Sequence, residues 1–128
     1  MVIGVKIYPL EQMNPNDARG ETWLWVQHQA RQLMICRRKA GSTSCHYHKG
    51  EDPSKKPEQL FIAQGIVKFT FYNPTTSERE ELVVTAGTSI YIDPWVVHKT
   101  EVIDDAIILE SREVLFRPDK PDTYKVEI

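Results

Sequence analysis

Between Ile66 and Tyr72 the chain alternates, with Val67, Phe69 and Phe71 on one side and Lys68, Thr70 and Tyr72 on the other. A period of two gives a strand one face for a core and one for water. Runs of similar length recur at Val2–Tyr8, Trp23–Gln27, Leu33–Arg38, Glu58–Gln64, Glu80–Thr85, Ser89–Asp93, His98–Ile103 and Ala106–Val114. Turn residues stand between them: Pro9, Ala40-Gly41, Gly65, Asn73-Pro74, Ala86-Gly87 and Asp104-Asp105. No long segment carries a 3.6-residue apolar period, so little helix is expected. About eight to ten short strands at this spacing specify an all-β sandwich or barrel.

The 128 residues suit one domain, residues 1–128, with a real core and no room for a second. Net charge is −2 and the basic residues are spread out, which excludes the clustered positive face of a nucleic-acid binder. Arg37-Arg38-Lys39 reads as a solvated strand end. The longest aliphatic run, Ala106–Leu109, is far too short to span a membrane, for which about 20 residues are needed. No basic-then-apolar leader opens the chain, and a cytoplasmic location is expected. Cys36 and Cys45 read as free thiols, although a hairpin across the Lys39–Ser42 turn could make them neighbours and leaves a disulfide open.

The chemistry gathers around Cys45-His46-Tyr47-His48. On a strand, His46 and His48 share a face one pleat apart and can hold one ion between them, while Cys45 faces away. Two later stretches add ligand types. Glu58 opens an apolar run that ends at Gly65, and Gly87 leads through Asp93-Pro94-Trp95 to His98. Residues 49–57 (KGEDPSKKP) are polar throughout apart from prolines and are expected to form an exposed loop.

Together these stretches resemble the two motifs of the cupin superfamily: glycine and His-x-His, then Glu with a glycine after six further residues, and later a glycine, a turn and His. The resemblance spans roughly residues 41 to 103. It implies a double-stranded β-helix, the cupin jelly-roll barrel, with little helix. It also implies one divalent ion on His46, His48, Glu58 and His98. Zinc, iron, manganese, nickel and copper all suit such a set. The chain departs from the pattern twice. Nine residues, more than the family interval, separate His48 from Glu58, so Glu51 competes as fourth ligand. Trp95 stands where the motif has glycine and implies a different turn there.

Asn16-Asp17-Ala18-Arg19-Gly20-Glu21 and His46-Tyr47 resemble elements of cupins that act on nucleotide-linked keto sugars, the 3,5-epimerases and 3,4-ketoisomerases. That likeness implies that Arg19 helps hold the diphosphate or sugar; a plain loop arginine is the other reading. Pro121-Asp122-Thr123-Tyr124 is similar to the ending of a cupin domain fused to reductases of capsular-sugar pathways. The expected activity is metal-assisted enolisation by an epimerase or isomerase of a carbonyl sugar, possible on a nucleotide carrier. A non-haem iron dioxygenase and a non-catalytic small-ligand cupin are the alternatives. The base is not identified: Tyr47, Lys49 and Tyr91 lie near in sequence, but alternation turns both tyrosines outward. Trp23, Trp25 and Gln27 share a strand face and point to a homodimer, with rings that fill the barrel as the other reading; His28 reads as a surface or interface residue.

Overall fold

The computed structural model describes residues 2–12, 18–25 and 30–128. Among them are ten strands and no helix: β1 Val5–Pro9, β2 Glu11–Gln12, β3 Trp23–Leu24, β4 Gln32–Arg38, β5 Thr43–Tyr47, β6 Glu58–Asn73, β7 Glu78–Thr85, β8 Thr88–Ile92, β9 Val97–Arg112 and β10 Tyr124–Lys125. The all-β expectation holds. His28 lies outside the described residues, as do Asn16, Asp17 and Gln27.

Two 16-residue strands, β6 and β9, run antiparallel and belong to both layers of the structure. The first half of β6 pairs with β8, β8 with β1, and the last half of β9 with β4. This gives one layer in the order β1-β8-β6-β9-β4. In the second layer β7 pairs with the far half of β6, and β5 lies between the first half of β9 and β10, giving β7-β6-β9-β5-β10. Two five-stranded antiparallel layers face each other as a jelly-roll.

Gly65 and Asp104-Asp105 are not the strand-ending turns that the sequence suggested. Both are bends inside β6 and β9, where the ladder shifts register between Ile62 and Val67. A strand that passes from one layer to the other must bend without ending, and bulges supply that bend. Gly65 has φ 96°, and a Cβ there would run into the Asp105 carbonyl and Ala106. No side chain fits where the two backbones approach so closely.

The core lies between the layers. Val67, Phe69, Phe71 and Val84 come from one, and Val5, Ile62, Ile90 and Ile92 from the other. The alternation of Val67, Phe69 and Phe71 thus marks the inward face of β6. The tryptophans do not fill the barrel. Trp23 and Trp25 pack on Phe61, with ring centroids 5.8 and 5.5 Å apart, on the outer face of the first layer. Trp23 also lies against Gly87, where a Cβ would come within 2.8 Å of its Nε1.

The segment 49–57 is not the exposed loop expected from its composition. Ser54 is 3% and Lys55 8% exposed. The Ser54 hydroxyl accepts the amides of Glu113 and Val114, and Asp52 accepts a hydrogen bond from the Arg112 guanidinium, itself 1% exposed. Polar residues are buried here because each finds a partner of matching chemistry.

Candidate active site

The register of β5 on β9 pairs His46 directly with His98. His48 follows β5 by one residue, and its carbonyl accepts the Trp95 amide at 2.7 Å. Trp95 has φ 70°, so the turn keeps the left-handed conformation of a glycine despite its bulky side chain. That correction has a visible compensation. The Trp95 ring stacks on Tyr47 at 5.5 Å, Tyr47 stacks on Tyr124, and the Lys49 ammonium lies over the Tyr124 ring. A backbone conformation costing about 1–3 kcal/mol is held by the His48 carbonyl and the Tyr47 ring, although the Trp95 side chain stays half exposed.

The ligand-type nitrogens of His46, His48 and His98 all lie within 4.8 Å of one another. Such a triad can bind a metal ion. From the opposite layer Glu58 reaches them: Oε2 is 2.9 Å from His48 Nε2, and Oε1 is 3.5 Å from His98 Nε2. Ligands about 2.1 Å from a common ion stand about 3 Å apart, which is near the spacing of the Glu58 oxygens from the His48 and His98 nitrogens. Glu51 is not part of this group. Its carboxylate is exposed and accepts the Tyr124 hydroxyl at 2.6 Å.

The proton inventory supports the same fit. Nδ1 of His48 lies 2.6 Å from the Asp122 carbonyl, and Nδ1 of His98 lies 3.1 Å from that of Val96. Each Nδ1–H donates there, so the neutral ring of His98 turns the lone pair of its Nε2 inward, and His48 turns its Nε2 to the Glu58 carboxylate. A ring nitrogen 2.9 Å from a carboxylate oxygen closes only round a proton or a metal cation. Burial first, and then the neighbouring His98, hold the His46 pKa down to about 3; burial likewise holds that of His98 down to about 4. Both rings are neutral at ordinary pH, as metal ligation requires.

Three residues missed in the sequence complete the site. Lys55 places its ammonium 2.6 Å from Glu58 Oε2 and against Glu110 Oε1. Burial alone would lower the Lys55 pKa, but the two carboxylates outweigh it and raise it. Burial would raise the Glu58 pKa, but Lys55 and the histidines hold it well below the usual range, while burial and the charge of Glu58 push Glu110 up. Asp122 accepts the amides of Lys49, Gly50 and Asp52 at 2.8, 2.9 and 3.1 Å, and these hold its carboxyl low against the opposing effect of burial. Its carbonyl orients His48, so the tail motif noted in the sequence lies in the wall of the site. Glu110 had a signal in its inward parity with Ile108; Lys55 had none beyond its charge.

The three histidines, Glu58, Lys55 and Glu110 line a cavity of about 240 Å³ between the layers. Cys36, Leu60, Phe69, Val102, Ile108 and Phe116 form apolar wall, Arg38 and Thr123 also border it, and Glu58, Glu110 and Lys55 face the histidines. Arg19 is exposed and does not border the cavity. Neither do Tyr47, Lys49 or Tyr91. Cys36 and Cys45 are free thiols.

No protein-family model and no curated protein sequence matches the chain. Solved structures do. The 3,4-ketoisomerase QdtA of Thermoanaerobacterium thermosaccharolyticum, in complex with TDP-4-keto-6-deoxyglucose, superposes with a TM-score of 0.73 at 16% identity, covering 97% of this chain and 88% of that one. The TDP-quinovose 3,4-ketoisomerase WlaRB of Campylobacter jejuni gives 0.75 at 13% identity, with 98% and 95% covered. The 3′-monoepimerase ChmJ of Streptomyces bikiniensis gives 0.76 at 16%, with 98% and 70% covered. Over nearly its whole length the chain therefore has the cupin fold of the nucleotide-sugar ketoisomerases and epimerases.

Proposed function

We propose that the chain isomerises or epimerises a keto sugar carried on a nucleoside diphosphate, with a divalent ion held by His46, His48, His98 and Glu58. The observation that carries this reading is the convergence of three imidazoles on an opposing carboxylate in a cavity between the layers. When bound, the ion supplies a Lewis acid for a carbonyl oxygen. A cavity of about 240 Å³ is below the ~300–1,000 Å³ range of drug-sized pockets, so it suits the sugar ring while the nucleotide stays at the mouth. Arg38, exposed where it borders the cavity, offers a guanidinium to the diphosphate.

The residues then divide the work. The apolar wall excludes water from the reacting carbon. The carbon–hydrogen bond next to the carbonyl breaks, its electron pair passes to the oxygen through the new double bond, and the proton goes to a base. With Glu58 turned to the imidazoles, Glu110 is the other carboxylate bordering the cavity and takes that role. Return of the proton to the other face of the same carbon gives the epimer; if the hydroxyl proton on that carbon first passes to the enolate oxygen, return of the proton to the neighbouring carbon gives the isomer.

The test combines elemental analysis with proton NMR in deuterated buffer. The protein as isolated should carry one divalent ion, lost from His98→Ala and Glu58→Ala but kept in Glu51→Ala. It should exchange a proton of TDP-4-keto-6-deoxyglucose with solvent, and Glu110→Gln should slow this by roughly 10²-fold or more. Full occupancy in His98→Ala would sink the ion site. Oxygen uptake by iron-loaded protein without exchange would move the assignment to a dioxygenase; silence in both assays would leave a binding module.

A further inference from the structure

The nine-residue stretch between His48 and Glu58 is where the chain departs from the cupin spacing, and it is also where the structure departs most from expectation. The stretch folds inward. Asp122 ties its beginning through three amides, Arg112 holds Asp52, and Ser54 caps the amides of Glu113 and Val114. This scaffolding serves to place one side chain, Lys55, at the cavity among the metal-type ligands.

An ammonium has three N–H donors. Two of those on Lys55 go to Glu58 Oε2 and Glu110 Oε1, on neighbouring strands of one layer. The third has no acceptor among the described residues. Burying a lysine is costly unless it is paired, and two carboxylates pair it more than fully. The pairing fixes the head group without using all of its donors. A fixed cation with a spare donor at a cavity with a largely apolar wall is an arrangement that can stabilise an oxygen as it gains charge.

Resting on the keto-sugar reading above, we propose that Lys55 is a catalytic residue that donates a hydrogen bond to the carbonyl oxygen of the substrate as that oxygen becomes an enolate. The carbon-bound proton leaves to Glu110, the electron pair moves onto the oxygen, and the neighbouring ammonium meets the new negative charge without giving up its own proton. The stretch 49–57 is thus an active-site element of this chain rather than a connection.

The experiment compares wild type, Lys55→Met and Lys55→Gln by solvent exchange into TDP-4-keto-6-deoxyglucose, calorimetric binding of TDP, and metal content. Lys55→Met matches the length without a donor, and Lys55→Gln keeps a neutral donor. Lys55→Met should lose at least about 100-fold in exchange, and Lys55→Gln should recover about 10-fold of that, with TDP affinity and metal content unchanged. Because Lys55→Met leaves two carboxylates facing each other, it is repeated in a Glu110→Gln background. A further loss relative to Glu110→Gln alone supports the role even if the single variant folds poorly. Exchange within about 3-fold of wild type in Lys55→Met, or a loss that follows metal content, would overturn the role of Lys55 and leave the keto-sugar reading standing. Wild-type protein that binds neither TDP nor the keto sugar would overturn both.

Discussion

His98 and His46 are imidazoles kept neutral by burial, and that has a consequence for stability. In the unfolded chain both take up protons near pH 6.5, while in the fold they do so only near 4 and 3. Between those limits the unfolded state binds more protons, so stability is fully present above about pH 6.5 and falls as the pH falls toward 4. For His98 alone the loss is on the order of 3 kcal/mol. Raised Glu110 acts in the opposite direction, but it is one carboxyl against two rings. With chelator-treated protein the urea midpoint should fall steadily from pH 7 to 4.5, and less steeply in His98→Gln. A flat midpoint across that window would mean that the rings are not held neutral.

At the scale of elements, the chain end decides whether the site is assembled. Strand β10 is only two residues long, yet it pairs with β5 beside His46, and the preceding Asp122 fastens both His48 and the start of the 49–57 stretch. Its carboxylate accepts three charge-assisted hydrogen bonds in a buried place. Asp122→Ala should lower the unfolding free energy by about 2–4 kcal/mol, and Asp122→Asn by about half of that, since one amide oxygen can still accept. Urea titration measures both. An unchanged midpoint in Asp122→Ala would show that the tail is not a fastening.

For the molecule as a whole, the outer face of the first layer is the surface left to explain. The register places Ile35 opposite Leu109 and Leu109 opposite Phe61, the ring on which Trp23 and Trp25 pack. Ile35 and Leu33 are exposed on β4, which among the described residues is an edge strand bonded only to β9. An apolar row along an open edge invites a second copy of the chain. Sedimentation at micromolar concentration should find a homodimer that Ile35→Lys dissociates; a wild-type monomer would remove the idea.

Period-two runs, turn residues and the order of His46, His48, Glu58 and His98 were local facts, and they were enough to indicate an all-β barrel and the imidazole cluster. Alternation settles which way a side chain faces as soon as a strand forms, so Val67, Phe69 and Phe71, or Tyr47 and Cys45 against His46, needed no further information. What the tertiary structure alone decided depended on partners distant in sequence. Gly65 reads as a turn until β9 is seen pressed against it. Lys55 reads as solvated until Glu110, 55 positions away, is brought beside it. Trp95 reads as incompatible with a glycine turn until Tyr47 and the His48 carbonyl are in place to hold it. Charge and polarity in a sequence state what a side chain needs, and only the fold determines whether water or a distant strand supplies it.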